Sequence, residues 1–317
     1  MPDFNELTLS KELIKFPSVT PKDAGAIGFL SKKLKQLGFS CKILEFKDKR
    51  SKPVKNLYAK LGKRGPNLCY AGHTDVVPPG NLRDWTANPF KPIVKNNYLI
   101  GRGANDMKSS IACFISAVDK FLKKIKNLNG SISFLITGDE EGLAINGTKK
   151  VVDYLNKKRE KIDFCIVGEP TNPNKLGEMI KIGRRGSLSG RIEISGTQGH
   201  VAYPHLSNNP INALVKICKK LKEKKLDNGN KNFQPSNLEF TSINVDNKAH
   251  NVIPSRAYAQ FNIRYNNLHN SSSLKKKINS VVKNISKKNK CKFRVTFTVN
   301  GDSFLTKPNK TIYMAKN

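Results

Sequence analysis

One histidine and several carboxylates in this chain fall where an apolar run gives way to a polar turn. His73 and Asp75 lie in residues 72–75 (Gly-His-Thr-Asp), after the apolar run 67–71. Asp139, Glu140 and Glu141 follow the run 131–137, and Glu169 follows the run 163–167. Asp106 sits in residues 101–108, a glycine-bearing turn that opens a long helical pattern. The ends of strands are where sites form in open α/β sheets. One imidazole among several carboxylates suits zinc-like metals. A carboxylate beside a ligand carboxylate suits metal-assisted hydrolysis.

Each residue also has a plain structural alternative. His73 and Asp75 alternate along an extended segment and share a face, so one can ligate a metal while the other orients the imidazole. They could equally be a hydrogen-bonded pair at a strand end. Asp106 could be the N-cap of a helix starting at Met107, and Glu169 a turn residue before Pro170. Three adjacent carboxylates at 139–141 repel one another unless a cation sits there, or unless they form a solvated acidic loop. With a metal, one of the pair Glu140–Glu141 can ligate while its neighbour takes a proton from the attacking water.

The elements that must position these groups follow from periodicity. Residues 6–16 and 24–37 read as helices, the second stopped by Gly38. Residues 41–46, 56–61, 67–71, 131–137 and 163–167 read as strands. Residues 107–125 form an amphipathic helix, with Ile111, Phe114, Ile115, Val118, Phe121 and Leu122 at helical spacing, and 148–155 form another. This alternation predicts an α/β domain with a mainly parallel sheet flanked by helices. The pattern changes after Pro173. Strands are expected at 178–182 and 187–195 around the turn 183–186, then a helix at 210–224, strands at 238–245 and 257–265, a helix at 273–287 and a strand at 292–299. From Ser187 that order is β-α-β-β-α-β, a two-layer sandwich. It predicts a separate inserted domain with both helices on one face of four strands.

At 317 residues the chain can bury a full core. No run approaches the ~18 apolar residues of a membrane span. The start lacks the basic and apolar regions of a signal peptide, and a cytoplasmic location is expected. The six cysteines are scattered without a C-x-x-C pair and read as free thiols. The formal net charge of +33 would suit nucleic acid or an anionic membrane. The basic residues are dispersed over most helices and turns, however, and accompany no nucleic-acid-binding motif. Neither a specific nucleic acid nor a membrane is expected as partner, though acidic small molecules should be attracted.

Taken together, eight segments resemble the dimetal aminoacylase and carboxypeptidase family of metallohydrolases. They are residues 72–80 (Gly-His-Thr-Asp-Val-Val-Pro-Pro-Gly), 84–90, 101–108, 137–142 (Thr-Gly-Asp-Glu-Glu-Gly), 167–171, 183–187 (Gly-Arg-Arg-Gly-Ser), 199–205 (Gly-His-Val-Ala-Tyr-Pro-His) and 251–254. The resemblance covers nearly the whole chain. It implies a dizinc peptidase-like fold with a catalytic domain at 1–183, a lid and dimerisation domain at 184–298, and the start of a return to the catalytic domain at 299–317. It implies two Zn2+ per subunit, for which Co2+ can substitute, about 3.5–4 Å apart. Asp106 would bridge them, His73 and Glu169 would complete the first site, and Glu141 would belong to the second. Glu140 would be general base and then acid, with Asp75 supporting His73. Arg184, Ser187, Tyr203, Asn251 and Arg264 match substrate-contacting positions. His200 matches a lid residue that reaches the partner subunit's site in a homodimer and polarises the scissile carbonyl; otherwise His200 and His205 are surface histidines. A cis peptide is expected after Asp106.

The branch most resembled hydrolyses N-succinyl-LL-2,6-diaminopimelate to LL-2,6-diaminopimelate and succinate, in lysine and diaminopimelate biosynthesis. The alternatives are a related deacylase for acetylated substrates and an inactive fragment. Two departures from the family pattern stand out. His250 precedes Asn251 where the family carries a second Asn. All five histidines lie at or before His269, whereas the family has a later Gly-Thr-Ser-Asp loop and a final His for the second metal. A truncated chain with an incomplete second site, low solubility and feeble turnover is therefore expected.

Overall fold

The computed structural model describes residues 2–49, 51–223 and 225–307. The chain forms two compact units, which divide after Pro170.

The first unit runs α1 (Glu6–Ile14), α2 (Ala26–Gln36), β1 (Ser40–Asp48), β2 (Ser51–Leu61), β3 (Asn67–His73), a small hairpin of β4 (Ile93–Lys95) and β5 (Tyr98–Ile100), α3 (Ser109–Lys124), β6 (Ser131–Thr137), α4 (Thr148–Lys157) and β7 (Phe164–Val167). The main sheet has the order β1-β2-β6-β3-β7. β3 is parallel to both β6 and β7, whereas β2 is antiparallel to β1 and β6. The α/β class is as expected, but the parallel part is confined to β6, β3 and β7. Those three strands bring His73, residues 138–141 and Glu169 to one end of the sheet.

Alternation along each strand feeds two cores. Leu57, Ala59, Tyr70, Phe134 and Ile136 face one side with α1, α2 and α3, and Tyr58, Cys69 and Leu135 face the other with Val151 and Leu155 of α4. α3 presents Ile111, Ala112, Ile115, Val118 and Leu122 to the sheet. Each large aliphatic buried there stabilises by roughly 1.5–3 kcal/mol.

α3 begins two residues later than its apolar spacing predicts. Residues 104–108 form an irregular turn in which Asp106 and Met107 leave helical geometry, and the Asp106–Met107 peptide is cis. The N-cap of α3 is Lys108, with no side-chain cap. Asp106 is therefore no cap, and its carboxylate is free for other work.

The second unit runs β8 (Gly183–Arg184), β9 (Gly186–Ser195), β10 (Gly199–His200), α5 (Pro210–Glu223), β11 (Asn237–Asn244), β12 (Val252–Ile253), β13 (Arg256–Tyr265), α6 (Ser271–Lys288), β14 (Lys292–Gly301) and β15 (Phe304–Leu305). Its four-stranded antiparallel sheet has the order β11-β13-β9-β14. Ala213, Leu214 and Ile217 of α5 and Leu274, Ile278 and Val282 of α6 share one core with the inward side chains of that sheet. Gly190 and Gly186 in β9 lie opposite Phe261 and Tyr265 of β13. A Cβ at either glycine would meet a ring carbon at 2.2 Å, so the rings fill the space a side chain would take. No strand forms at 178–182. The segment that pairs here is Gly183–Arg184, and its partner is Phe304–Leu305 from the far end of the unit. Residues 308–317, where the expected return segment continues, lie outside the described residues.

Candidate active site

His73 is the last residue of β3 and is 1% exposed. Its Nδ1 lies 2.8 Å from the Asp75 carbonyl and 3.5 Å from Asp75 Oδ1. Its Nε2 points the other way, 3.0 Å from Asp106 Oδ1, 3.4 Å from Glu169 Oε1 and 4.0 Å from Glu140 Oε2. Asp75 is buried and accepts the backbone N–H groups of Glu140 and Glu141 at 3.0–3.2 Å. One carboxylate thus fixes both the imidazole and the loop that carries the next two acids.

That loop is shaped from below by Asp139. Its buried carboxylate accepts the N–H groups of Ala144, Ile145 and Asn146 at 3.1, 3.0 and 2.8 Å. Repulsion among residues 139–141 is relieved because Asp139 turns into the loop while Glu140 and Glu141 do not. Glu169 is placed by the end of β7, where the Gly168 N–H reaches the Ala71 carbonyl. A Cβ at Gly168 would lie 2.0 Å from Tyr70 Oη and 2.3 Å from Ser110 Oγ, so only glycine lets the chain pass there.

Two triads have ligand atoms mutually within 4.8 Å: His73, Glu140 and Glu169, and His73, Asp106 and Glu141. One imidazole nitrogen with carboxylate oxygens at this spacing is a donor set that fits zinc-like ions. Asp106 Oδ1 and Glu169 Oε1 both reach His73 Nε2, as the expected first-site grouping requires, while Glu140 Oε2 stands farther off at 4.0 Å.

The charges follow. Burial opposes protonation of His73, but its hydrogen bonds with Asp75 and Glu169 hold its pKa up at about 11. Burial raises the pKa of Glu140, and burial and then Asp106 raise that of Glu141. Burial and then Glu169 raise Asp106, while the hydrogen bond from His73 lowers Glu169. The cluster holds more negative charge than its donors satisfy, which is the electrostatic demand a cation meets.

The other expected residues all lie in the second unit. Ser187 is buried in β9 and accepts from Asn262 Nδ2 at 3.2 Å; it pairs across the sheet with Arg264, and exposed Arg184 precedes it in β8. His200, Tyr203 and Asn251 form a second group around the β10–β12 ribbon. There the His200 and Tyr203 rings are 6.0 Å apart, and the Val201 N–H donates to the Asn251 carbonyl at 3.0 Å. Sequence reasoning assigned no role to Asp139 as a loop anchor or to Lys108. Asp139 was visible only as a third acid, since its donors lie five to seven residues on.

Residues 69–306 match the peptidase family M20/M25/M40. The chain belongs to that family. It is 65% identical over 317 residues to the succinyl-diaminopimelate desuccinylase of Pelagibacter ubique (strain HTCC1062), covering all of this chain and 83% of that protein. It is 47% identical over 305 residues to the succinyl-diaminopimelate desuccinylase of Parvibaculum lavamentivorans, covering 96% of this chain and 77% of that one. Among solved structures, aminopeptidase PepT from Bacillus cereus superposes with a TM-score of 0.74 at 18% identity, covering 99% of this chain and 81% of that one. The M20 metallo-carboxypeptidase Sso-CP2 from Sulfolobus solfataricus gives 0.70 at 19% identity, with 98% and 82% covered. These two show the fold. Membership of this hydrolase family accounts for the metal-ligand chemistry of the first unit. No helix among the described residues is long and apolar enough to cross a membrane.

Proposed function

We propose that this chain hydrolyses N-succinyl-LL-2,6-diaminopimelate to LL-2,6-diaminopimelate and succinate, in the cytoplasm, with two zinc ions held by its first unit. The observation that carries this is the convergence of Asp106, Glu140, Glu141 and Glu169 on His73, from segments far apart in sequence. The names of the relatives at 65% and 47% identity support the choice of substrate.

His73, Asp106 and Glu169 would hold one ion, and Asp106 and Glu141 the other. Bound ions would supply Lewis acidity toward the amide carbonyl and the attacking water, and Co2+ could take the place of zinc. The protein does the rest. Glu140 takes a proton from the water and gives it to the departing amine as the C–N bond breaks. Its burial-raised pKa suits a group that must act in both directions. Asp75 fixes the ring of His73 so that Nε2 faces Asp106 and Glu169, the carboxylates that would share an ion with it.

In the second unit, which we assign as lid and dimerisation domain, Arg184 and Arg264 offer guanidinium groups to the substrate carboxylates. Ser187, Tyr203 and Asn251 add polar contacts. In a homodimer, His200 of the partner subunit polarises the scissile carbonyl. Light scattering that finds only monomer in fully active enzyme would remove that last role.

The substrate assignment is tested by measuring release of succinate from the succinylated substrate against release of acetate from N-acetylornithine. The succinylated compound should have the higher kcat/KM. Faster turnover of the acetylated one would move the chain to another deacylase branch.

A further inference from the structure

Lys108 stands two residues beyond Asp106 and is fully buried. Its ammonium donates to the Phe16 carbonyl at 2.7 Å, its single hydrogen-bond acceptor among the described residues. An apolar side chain of similar length would fill the same space without the cost of desolvating a charge, which is several kcal/mol. Core packing therefore does not account for the ammonium.

Its two ends show what it joins. On one side, the Lys108 N–H donates to the Gly103 carbonyl at 2.9 Å and closes the turn that presents Asp106. Gly103 lies at φ 84°, and a Cβ there would stand 3.1 Å from Lys108 Cδ. On the other side, the Phe16 carbonyl leads into residues 18–20, which run along the strand end bearing His73 and Asp75. Ser18 Oγ donates to the Thr74 carbonyl at 2.6 Å. The Val76 N–H donates to the Ser18 carbonyl at 2.9 Å, and the Thr20 N–H to the Val76 carbonyl at 3.1 Å. Thr74 and Val76 alternate with His73 and Asp75 on this segment, so whatever holds the first pair fixes the second.

We infer that Lys108 is a positioning residue for the metal ligands: it registers the Asp106 turn on the His73–Asp75 strand end through Phe16 and Ser18. The inference rests on the metal-binding reading of the first unit.

The test is the zinc affinity of the full chain, by competition with a chromophoric chelator, together with far-UV circular dichroism and a thermal melt. Parent protein that binds no zinc would refute the metal reading itself. Given a parent that binds, folded Lys108→Met should hold zinc about 10–100-fold more weakly, as expected when the support of a ligand is removed. Folded K108M with parental affinity would overturn the inference. If K108M does not fold, Ser18→Ala decides it, because that change cuts the same link one step further away. A severalfold weaker zinc affinity in folded S18A supports the inference, and an unchanged affinity overturns it.

Discussion

His73 in the first unit and His269 in the second both sit against carboxylates, and their surroundings differ in kind. Asp227 receives His269 Nε2 at 3.0 Å, the Gly229 N–H at 2.6 Å, Asn266 Nδ2 at 2.7 Å and the Ser236 N–H at 3.3 Å. Its two oxygens are surrounded by donors. Around His73 the ratio is reversed: Asp106, Glu140, Glu141 and Glu169 face a single imidazole nitrogen. The pKa shifts follow the same division. Burial raises Asp227, but hydrogen bonds from Ser236, Gly229 and Asn266 outweigh it and hold it down at about 2. Asp106, Glu140 and Glu141 are all pushed up. A carboxylate whose acceptor capacity is filled by the protein ties a loop together. Carboxylates crowded on too few donors call for a cation or a transferable proton.

The sharpest way to break this contrast is to remove one acid from the crowded cluster without changing its size. Glu140→Gln should lower kcat by about 10²–10⁴, the usual worth of a general acid–base group, while zinc content stays at the parental level. Succinate release within a factor of about three of parent would strip Glu140 of its role. Asp75→Asn should come next in size. It removes charge behind His73 and one acceptor for the Glu140 and Glu141 N–H groups. We expect zinc binding about 10–100-fold weaker, read by chelator competition, with KM changed less than metal affinity. An unaltered zinc affinity would reduce Asp75 to a loop anchor like Asp227.

The crowded cluster was legible in the sequence and the satisfied one was not, for a physical reason. His73, Glu140 and Glu169 each follow an apolar run whose length and pattern mark a strand, so their arrival at one sheet end follows from parallel pairing. Asp227, Asn266 and His269 lie in connections between elements, and only the folded second unit brings them together. The same division runs through the fold. The spacing of Ile111, Ile115, Val118 and Leu122 announced α3. Its delayed start did not show, because the turn at 104–108 is closed by the backbone bond between Lys108 and Gly103. The antiparallel β1–β2 pair had a usable signal, since the expected strands 41–46 and 56–61 are separated by only nine residues, fewer than the dozen or so a parallel crossover takes. The pairing of Gly183–Arg184 with Phe304–Leu305 had none, since neither dipeptide carries a strand pattern.

The smallest expected effect belongs to the satisfied cluster. Asp227→Asn keeps one acceptor oxygen but turns an amide donor toward groups that are themselves donors. Leaving such a group unpaired costs about 1–3 kcal/mol, so the second unit should melt a few degrees lower, while zinc affinity remains parental. The dependence on pH has a definite sign. The Asp227 pKa is depressed from the usual 3.8 to about 2 in the fold, so its carboxylate stabilises the unit above the unfolded value and loses that effect as pH falls through the folded one. The gap in melting temperature between parent and D227N should therefore close as pH falls between roughly pH 4 and pH 2. Thermal melts of both proteins across that range measure it. A gap that persists unchanged at pH 2, or a D227N protein that loses zinc, would mean that the two clusters are not the separate kinds of site their donor counts make them.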